Sequence, residues 1–405
     1  MKTKMIIFCL FLMLSSFAGS SHAGTENTDY TYYGINTGAN ADGYGCSYFG
    51  VNAGYGGSAV SNSGQNNTFI GHMAGYANTT GNASSFIGAY AGMLNTTGVN
   101  NNFIGYQAGF GQANISTGSY NNFIGYQAGF KNTAGYSNNF SGAYSGYFNT
   151  SGFANNYSGT YVGYNNTTGS YNNFSGYAAG YSNTANLNNF IGTYAGYNNT
   201  TGNANNFSGS YAGLNNTTGS YNTYLGYATG YNANGSGNVF IGNFAGAFET
   251  GSNKLYIANS YTSTPLIGGD FATGVVTVNG AIVQTSSKAY KDNIKELSSQ
   301  EALDTLAGLS PVKYVYKSDR DQQHVGFIAE DVPELVATKD RKGLSSMDVV
   351  AVLTRVVKEQ QGVIEELQKR QNKIEEQQKT ISALSQKVSE LERLLILSNA
   401  VSQAD

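Results

Sequence analysis

The sequence predicts a mainly β protein with a C-terminal α/β part: a repetitive β-solenoid, a short β neck, and a small α/β domain that ends in a long coiled-coil helix. Three observations lead to this architecture. Charged residues make up only 11% of the 405 residues, against about 25% in an average globular protein. An aromatic-x-Gly element recurs about every 17 residues in the middle of the chain. Of the 21 Lys and Arg residues, 18 follow residue 250, where heptads of apolar residues appear.

The composition excludes several classes of protein. With 53 Gly, 32 Tyr and 21 Phe against 3 Pro and no Trp, the chain is not a uniform soluble α/β enzyme. Glycine does not occupy every third position, which excludes collagen. The net charge of −3 excludes a nucleic-acid-binding protein that acts through bulk positive charge. The repeats lack the recurrent Asp of calcium-binding repeats, and the sequence shows no cluster of metal-ligating residues. Nothing in it indicates a nucleotide either, so we expect no cofactor.

Residues 1–23 have the pattern of a secretory signal peptide. Lys2 and Lys4 precede an apolar run at 5–13, which is too short to span a bilayer as a helix, and small residues lead up to Ala23. We expect a secreted or cell-surface protein without a membrane span after cleavage; the alternative is a transmembrane anchor. Cleavage would leave Cys46 as the one cysteine, which is more typical of a packed thiol than of a link between two copies.

Residues 24–250 consist of a repeat with the unit Asn-Asn-Phe-(Ile/Ser)-Gly-x-x-Ala-Gly-(Tyr/Phe)-x-Asn-Thr-Thr-Gly-x-x. Self-similarity at a short fixed period is typical of a stacked array. Seventeen residues suffice for one solenoid coil of two short strands and two turns, with the aromatic ring stacked on its equivalent in the next coil. Weaker copies begin at Tyr32 and Tyr48. The aromatic positions of the full copies are Phe69, Phe86, Phe103, Phe123, Phe140, Tyr157, Phe174, Phe190, Phe207, Tyr224 and Phe240.

The polar positions of the repeat predict turns. Asn-Thr-Thr-Gly tracts favour backbone with positive φ, and we interpret sequons such as the one at Asn78 as turn chemistry rather than glycosylation sites. His72 stands alone in its repeat and is expected at the surface. Rows of Thr and Asn leave open a hydrated face that binds glycan or ice.

The repeat array resembles the heads of trimeric surface adhesins and secreted proteins similar to tail fibres. The resemblance rests on Asn-Asn-Phe-Ile-Gly-Tyr-Gln-Ala-Gly, which occurs at 101–109 and again at 121–129, and it covers roughly residues 30–250. Between residues 251 and 285, short apolar runs with Asn-Gly and Ala-Thr-Gly turns predict a β neck in which three chains can intertwine. The neck contains no convergent acid–base set.

Residues 286–350 have the composition of an ordinary globular protein, and their pattern predicts a small α/β domain. A helix is expected at Ser298–Ala307, ended by Gly308. Strands are expected at 311–316 and 324–329, followed by a helical turn at 331–335.

A long helix is then expected from about Ser345, with the coiled coil at 351–397 and a tail at 398–405. Two rows of apolar residues repeat every seven positions, and this predicts a left-handed coiled coil. The alternative is a single helix that packs on its own domain. One row is Leu367, Ile374, Ile381, Val388 and Leu395; the other is Val356, Val363, Leu384 and Leu391, interrupted by Arg370 and Gln377.

Residues 286–367 resemble the C-terminal intramolecular chaperone of phage endosialidase tailspikes and related fibres, which also occurs in a family of membrane-bound transcription factors. The family signature is Ser-Asp-x-Arg-x-Lys-x-Asn-Ile, followed by His-x-Gly-Phe-Ile-Ala-(Gln/Glu)-(Asp/Glu)-Val and a coiled-coil helix. Here the first motif reads Ser-Ser-Lys-Ala-Tyr-Lys-Asp-Asn-Ile at 286–294. The second reads His-Val-Gly-Phe-Ile-Ala-Glu-Asp-Val at 324–332.

The resemblance implies a domain that trimerises, guides the folding of the fibre before it and then cuts itself off. It implies Ser286 as nucleophile, Lys291 as base and His324 as a third site residue that stabilises the oxyanion. A lysine can take the proton of a serine hydroxyl only if burial lowers its pKa, so cleavage would await assembly. We expect the scissile bond at Ser286–Ser287.

Two positions depart from the signature, because Ser287 and Ala289 stand where the family has Asp and Arg. If those residues position the loop, cleavage is slow or lost. The alternatives are therefore an uncleaved structural or adhesive fibre with a permanent coiled-coil clamp, and a solenoid that binds glycan or ice. The expected partners are two further copies of the chain and a surface glycan or cell-surface receptor.

Overall fold

The computed structural model describes residues 30–56, 61–112 and 116–402. The signal peptide expected at 1–23 lies outside these residues. The chain divides into two compact units, Met1–Ile282 and Val283–Asp405, and each is described by itself.

The first unit is a β-solenoid of about 17 residues per coil, as the period predicts. Strands β1 to β14 are consecutive neighbours in one sheet and all pair in parallel, while β15 and β16 add antiparallel to its end. The strands are β1 Tyr30–Tyr33, β2 Cys46–Phe49, β3 Thr68–Ile70, β4 Ser85–Ile87, β5 Asn102–Ile104, β6 Asn122–Ile124, β7 Asn139–Ser141, β8 Asn156–Ser158, β9 Asn173–Ser175, β10 Asn189–Ile191, β11 Asn206–Ser208, β12 Thr223–Leu225, β13 Val239–Ile241, β14 Lys254–Ile257, β15 Ile267–Asp270 and β16 Val275–Val278.

A continuous stack of aromatic rings forms the core of the solenoid. The predicted ring of each strand from β2 to β13 is buried, and the centroids of successive rings from Tyr48 to Phe240 lie 4.6–4.9 Å apart with nearly parallel planes. This spacing matches the distance between paired strands, about 4.8 Å. The strand register therefore places each ring on the one before it, and the predicted internal ladder is confirmed.

Each coil contributes one strand, where two were expected. The other side of the coil is built from turns, because its backbone takes positive φ at residues such as Tyr194 and Gly196, and extended strands exclude that conformation. These turns still bond from coil to coil: the N–H of Gly196 donates to the carbonyl of Ala212 at 2.9 Å. Backbone hydrogen bonding thus continues around the coil without a second sheet.

Buried asparagines line the inside of the coil beside the rings. In one coil, the side-chain Oδ1 of Asn188 accepts from the backbone N–H of Asn205, and the side-chain Nδ2 of Asn205 donates to the backbone carbonyl of Gly219. The same pattern recurs along the array, so these amides join each coil to its neighbours. The sequon residue Asn78 belongs to this buried set and bonds Asn62, which supports the interpretation of this sequon as turn chemistry. His72 is exposed, as expected.

The segment predicted as a β neck at 251–285, called the connector below, forms the C-terminal end of the sheet. β14 continues the parallel order, and β15 and β16 fold back antiparallel. Lys254 on β14 lies opposite Asp270 on β15, and its Nζ donates to a carboxylate oxygen of Asp270 at 2.6 Å. The pairing of three chains in this neck remains a prediction.

The Lys254–Asp270 pair predicts a pH dependence for the connector. The mutual hydrogen bond lowers the pKa of Asp270 and raises the pKa of Lys254. The carboxylate stabilises the connector above its unfolded pKa of about 3.9 and loses that effect as pH falls through its lower folded pKa. The lysine stabilises it below about 10.4 and loses that effect as pH rises through its raised folded pKa.

We expect amide protection in β14 and β15, corrected for intrinsic exchange rates, to decrease toward pH 3. Asp270→Asn should lower protection at neutral pH and remove most of this acid dependence. An equal acid-induced loss in the variant would contradict the assignment. The effect should be small because both side chains are about 30% exposed.

The second unit contains the small domain and the long helix. After a 3-10 turn at Lys288–Tyr290 come α1 at Ser299–Ala307, β17 at Val312–Tyr316, β18 at Asp319–Gly326 and α2 at Ser346–Ser402. The helix at Ser298–Ala307 is confirmed, with a capping box between Ser298 and Glu301.

The predicted bounds of the second strand at 324–329 were wrong. It begins at Asp319 and ends at Gly326, because its residues pair antiparallel with β17 and place His324 opposite Tyr314. The chain then turns inward and buries Ala329 and Val332.

A compact core joins the turns after β18 to both helices. Ala302 of α1, Val332 and Val336 of the turns, and Val352 and Val356 of α2 form a buried cluster. Beyond this cluster every described side chain of α2 from Val357 to Asn399 is exposed. The small domain is therefore anchored by the start of α2 only.

Candidate functional site

The segment 286–291 forms a tight turn. Ser287 precedes the 3-10 turn, and its hydroxyl accepts a hydrogen bond from the backbone N–H of Ala289 at 3.2 Å. Ser and Asp are both favoured at such a capping position, because their side-chain oxygens accept this bond. Ser287 therefore retains the acceptor that the family's Asp would supply. Ala289 retains the backbone donor but lacks the guanidinium of the family's Arg.

The turn brings Ser286 and Lys291 together. The Lys291 Nζ donates to the Ser286 Oγ at 2.6 Å, and both residues are exposed. At this separation a hydroxyl can pass its proton to a neutral amine, and the protonated amine can return it to a leaving group. In a single chain the pair lacks the shielding from water that a lysine needs to act as a base at neutral pH.

His324 lies on β18, in an aromatic cluster of its own. Its ring is stacked on Tyr314 with centroids 5.7 Å apart and meets the edge of Tyr316 at 5.1 Å. The two tyrosine hydroxyls lie 3.4 Å apart, and this contact raises the pKa of Tyr314. Within residues 116–402, no hydrogen bond joins His324 to Ser286 or Lys291. One chain thus pairs two of the three predicted site residues and leaves the third elsewhere.

Polar contacts hold the chain that follows the site against the long helix. Glu296 forms an ion pair with Arg355 of α2 at 3.3 Å. The same guanidinium donates to the hydroxyl of Ser299, which in turn donates to Glu359. The site segment therefore leads directly into a part of the domain that depends on the position of α2.

Arg341 is a residue that the sequence analysis did not single out. Its guanidinium donates to the backbone carbonyls of Glu330 and Val332, each at 2.6 Å, and so holds the turn at the end of the second motif. In the sequence it lies within a run of charged residues at 339–342, which is typical of a solvated surface. Its spacing carries no signal that would have distinguished it.

A second surface of interest lies on the solenoid. In the full copies of the repeat, from the one with Phe69 onward, one of the two positions after the first glycine carries an aromatic ring, and the other does not. We call these rings the corner row. They form an unbroken series of contacts, with centroids 4.9–6.0 Å apart: His72, Tyr90, Tyr106, Tyr126, Tyr144, Tyr161, Tyr177, Tyr194, Tyr211, Tyr227 and Phe244.

In the described ranges 30–56, 61–112 and 116–402, no three His, Cys, Asp or Glu side chains lie close enough to hold a metal ion. Across the same part of the chain, no helix has the length and apolar character needed to cross a membrane.

Residues 286–339 match the family model described as chaperone of endosialidase. The family is associated with self-cleaving serine peptidase activity. Neither the curated proteins nor the solved structures contain a match to this chain. The matched segment begins at Ser286 and includes the turn, the β17–β18 hairpin and the core turns described above. An endosialidase-type chaperone domain thus follows a β-solenoid, as the motifs predicted.

Proposed function

We propose, on the premise of this chaperone domain, that the protein is a secreted homotrimeric fibre similar to adhesins. The C-terminal domain drives its trimerisation and folding, and then cleaves itself off through Ser286 and Lys291. The observation that carries the proposal is the 2.6 Å hydrogen bond from Lys291 to Ser286 inside the matched segment. It supplies a nucleophile next to a group that can serve as its base.

The exposed apolar rows of α2 support assembly of several copies. Ile374, Ile381 and Leu395 are 56–63% exposed, whereas an isolated helix gains nothing from such a stripe. Heptad spacing brings this stripe against equal stripes of partner helices. Two further copies of the chain are therefore the proposed partners.

Further apolar residues of the small domain are exposed in the single chain. Tyr290, Ile294 and Val325 are 61–79% exposed, and all three belong to the two motifs at 286–294 and 324–332. Exposed apolar clusters of this kind are typical of surfaces that bind another protein. Trimerisation would cover them and shield Lys291 from water, which couples cleavage to assembly. It would also allow His324 of one copy to meet Ser286 of another.

The covalent step determines which bond breaks. Attack by the Ser286 Oγ on the carbonyl carbon of Thr285 closes a five-membered ring, whereas attack on its own carbonyl closes a strained four-membered ring. Lys291 takes the hydroxyl proton, the ester bond forms as the Thr285–Ser286 amide bond breaks, and the nitrogen of Ser286 receives the proton. Water then hydrolyses the ester. Within one chain this chemistry favours Thr285–Ser286 over the expected Ser286–Ser287 bond.

An uncleaved fibre is the alternative function. Ala289 favours it, because the guanidinium present in the family signature is missing from the turn. In that case α2 would remain as a permanent clamp at the end of the solenoid.

Intact mass of the purified protein tests the proposal. We expect two fragments from the wild type and one full-length chain from Ser286→Ala or Lys291→Met. Lys288→Met is the matched control; it removes an exposed lysine of the same turn that makes no hydrogen bond to Ser286, and this variant should still be cleaved. The fragment masses identify the bond, since the two candidate bonds differ by one serine in each fragment. A full-length wild-type chain would leave the uncleaved fibre as the function.

A further inference from the structure

The corner row of the solenoid follows a geometric rule. Where two successive coils supply the ring from the same repeat position, the rings are stacked, as in Tyr144 and Tyr161. Where the position changes, the rings meet edge to face, as in Tyr161 and Tyr177. Rings from the first of the two positions stand further out: Tyr177 is 45% exposed. The row is therefore corrugated, and its surface depends on which position carries the ring.

A second aromatic row runs beside the corner row in the middle of the array. Its rings are stacked from Phe110 to Tyr197, with centroids 4.9–5.1 Å apart. The two rows touch where Tyr161 meets Tyr164 and where Tyr194 meets Tyr197. Together they form a continuous aromatic face.

An open cleft lies between the two rows at the coil that contains Tyr177. In this coil the ring comes from the first position, and the second position is the buried Ala178, which leaves space between the rings of the coils on either side. The cleft measures about 340 Å3, and its lining residues are Tyr161, Tyr177, Ala178, Tyr181, Tyr194 and Tyr197. A volume of a few hundred Å3 is typical of small-ligand sites.

The chemistry of the cleft selects the class of ligand. Its lining consists of five tyrosines, each of which offers a ring face and a hydroxyl group, and one alanine. No charged residue contributes to it; in the described part of residues 30–250 the charged side chains are Asp42, Lys131 and Glu249. A charged ligand would find no counter-ion, and a flat apolar partner would not fill a polar notch. Aromatic faces with hydroxyl groups suit a ligand with both C–H faces and hydroxyls.

We propose that this cleft binds a neutral sugar ring of a glycan chain. The C–H face of the sugar packs on a tyrosine ring, and its hydroxyls exchange hydrogen bonds with the phenol groups. The corner row continues on both sides of the cleft and the second row continues on its N-terminal side, so neighbouring sugars of the chain can lie along the same face. The site lies on the solenoid and does not depend on self-cleavage.

A rearrangement of two residues tests the site without changing the number of rings. The variant Tyr177→Thr with Ala178→Tyr gives this coil the Thr-Tyr pair that two neighbouring coils carry at 160–161 and 193–194. It fills the notch with a residue that the array already accepts at positive φ. The matched control is the same exchange at Tyr227 and Ala228, where Phe244 and Ala247 stand at the positions that Tyr194 and Tyr197 occupy in the cleft.

The probes are maltotetraose, cellotetraose and chitotetraose, with tetramethylammonium chloride as a cationic probe, measured on the full chain by saturation-transfer NMR and calorimetry. We expect at least one tetrasaccharide to bind the wild type with transfer from tyrosine ring protons. The exchange at 177 and 178 should weaken binding at least about tenfold, the scale of a lost aromatic contact. The control should bind as the wild type does.

Three results would overturn the proposal. One is that no tetrasaccharide binds, or that only tetramethylammonium does. Another is that the exchange at 177 and 178 leaves sugar affinity unchanged. The third is that this exchange changes the oligomeric mass in sedimentation while circular dichroism shows an intact fold, which would assign the cleft to contact with a second copy.

Discussion

Placing aspartate at Ile374 and Ile381 is expected to abolish both assembly and self-cleavage. Both residues lie in one heptad row, and both are more than half exposed in the single chain. In a three-helix interface each substitution would bury three carboxylates at one level, at a cost of several kcal/mol per charge. We expect the double variant to sediment as a monomer, with a full-length chain in the mass spectrum.

The small domain itself should remain folded in this variant. Its core uses Val352 and Val356 of α2, which lie more than four helical turns before the substitutions. The matched control is Asn372→Asp with Lys379→Asp, two positions on the opposite side of the heptad. The control should remain a cleaved trimer. A monomeric double variant that still cuts itself would show that Ser286 and Lys291 act without assembly.

Replacing Gly192 with alanine is expected to destabilise the solenoid more than any surface change in the same coil. Gly192 has φ of +133°, which side chains other than glycine rarely adopt. A Cβ atom there would lie 2.6 Å from the carbonyl carbon and oxygen of Gly209 in the next coil. Since that neighbour is backbone, the coils would have to separate, and their hydrogen bonds would lengthen.

We expect Gly192→Ala to cost more than about 3 kcal/mol, from backbone strain together with lost packing. The matched control is Thr193→Ala, which introduces the same residue one position later, where other coils already carry alanine at 89 and 143. It should cost under about 1 kcal/mol. Thermal unfolding followed by far-ultraviolet circular dichroism measures both, and equal losses would contradict the close-approach argument.

Periodicity explains why the sequence predicts the solenoid well. A ring such as Phe190 recurs at a nearly constant interval, and a stack of parallel strands is the arrangement that buries it against its equivalents. The second strand per coil was wrong because residues such as Tyr194 have a β-prone side chain but a positive φ. That conformation is imposed by the neighbouring coils, so local propensity does not reveal it.

The sequence predicts only the part of the site whose residues lie close together in the chain. Ser286 and Lys291 are five residues apart, and one capped turn is enough to join them. His324 belongs to a hairpin that pairs it with Tyr314, and nothing in the motif specifies that pairing. The corner row is not visible in the consensus sequence of the repeat, because its ring comes from one position in some coils and from the next position in others. Counting aromatic residues over both positions together would have detected it.

The uniform ring stack makes the length of the protein adjustable in whole steps. Each coil adds about 4.8 Å of height, and it presents to the next coil the same strand, ring and asparagine that it receives from the one before. The identical nine-residue segments at 101–109 and 121–129 are the kind of sequence at which recombination adds or removes one coil in register. Such an event would lengthen or shorten the fibre while both of its ends keep their structure. The length of the solenoid can therefore evolve independently of the chaperone domain that follows it.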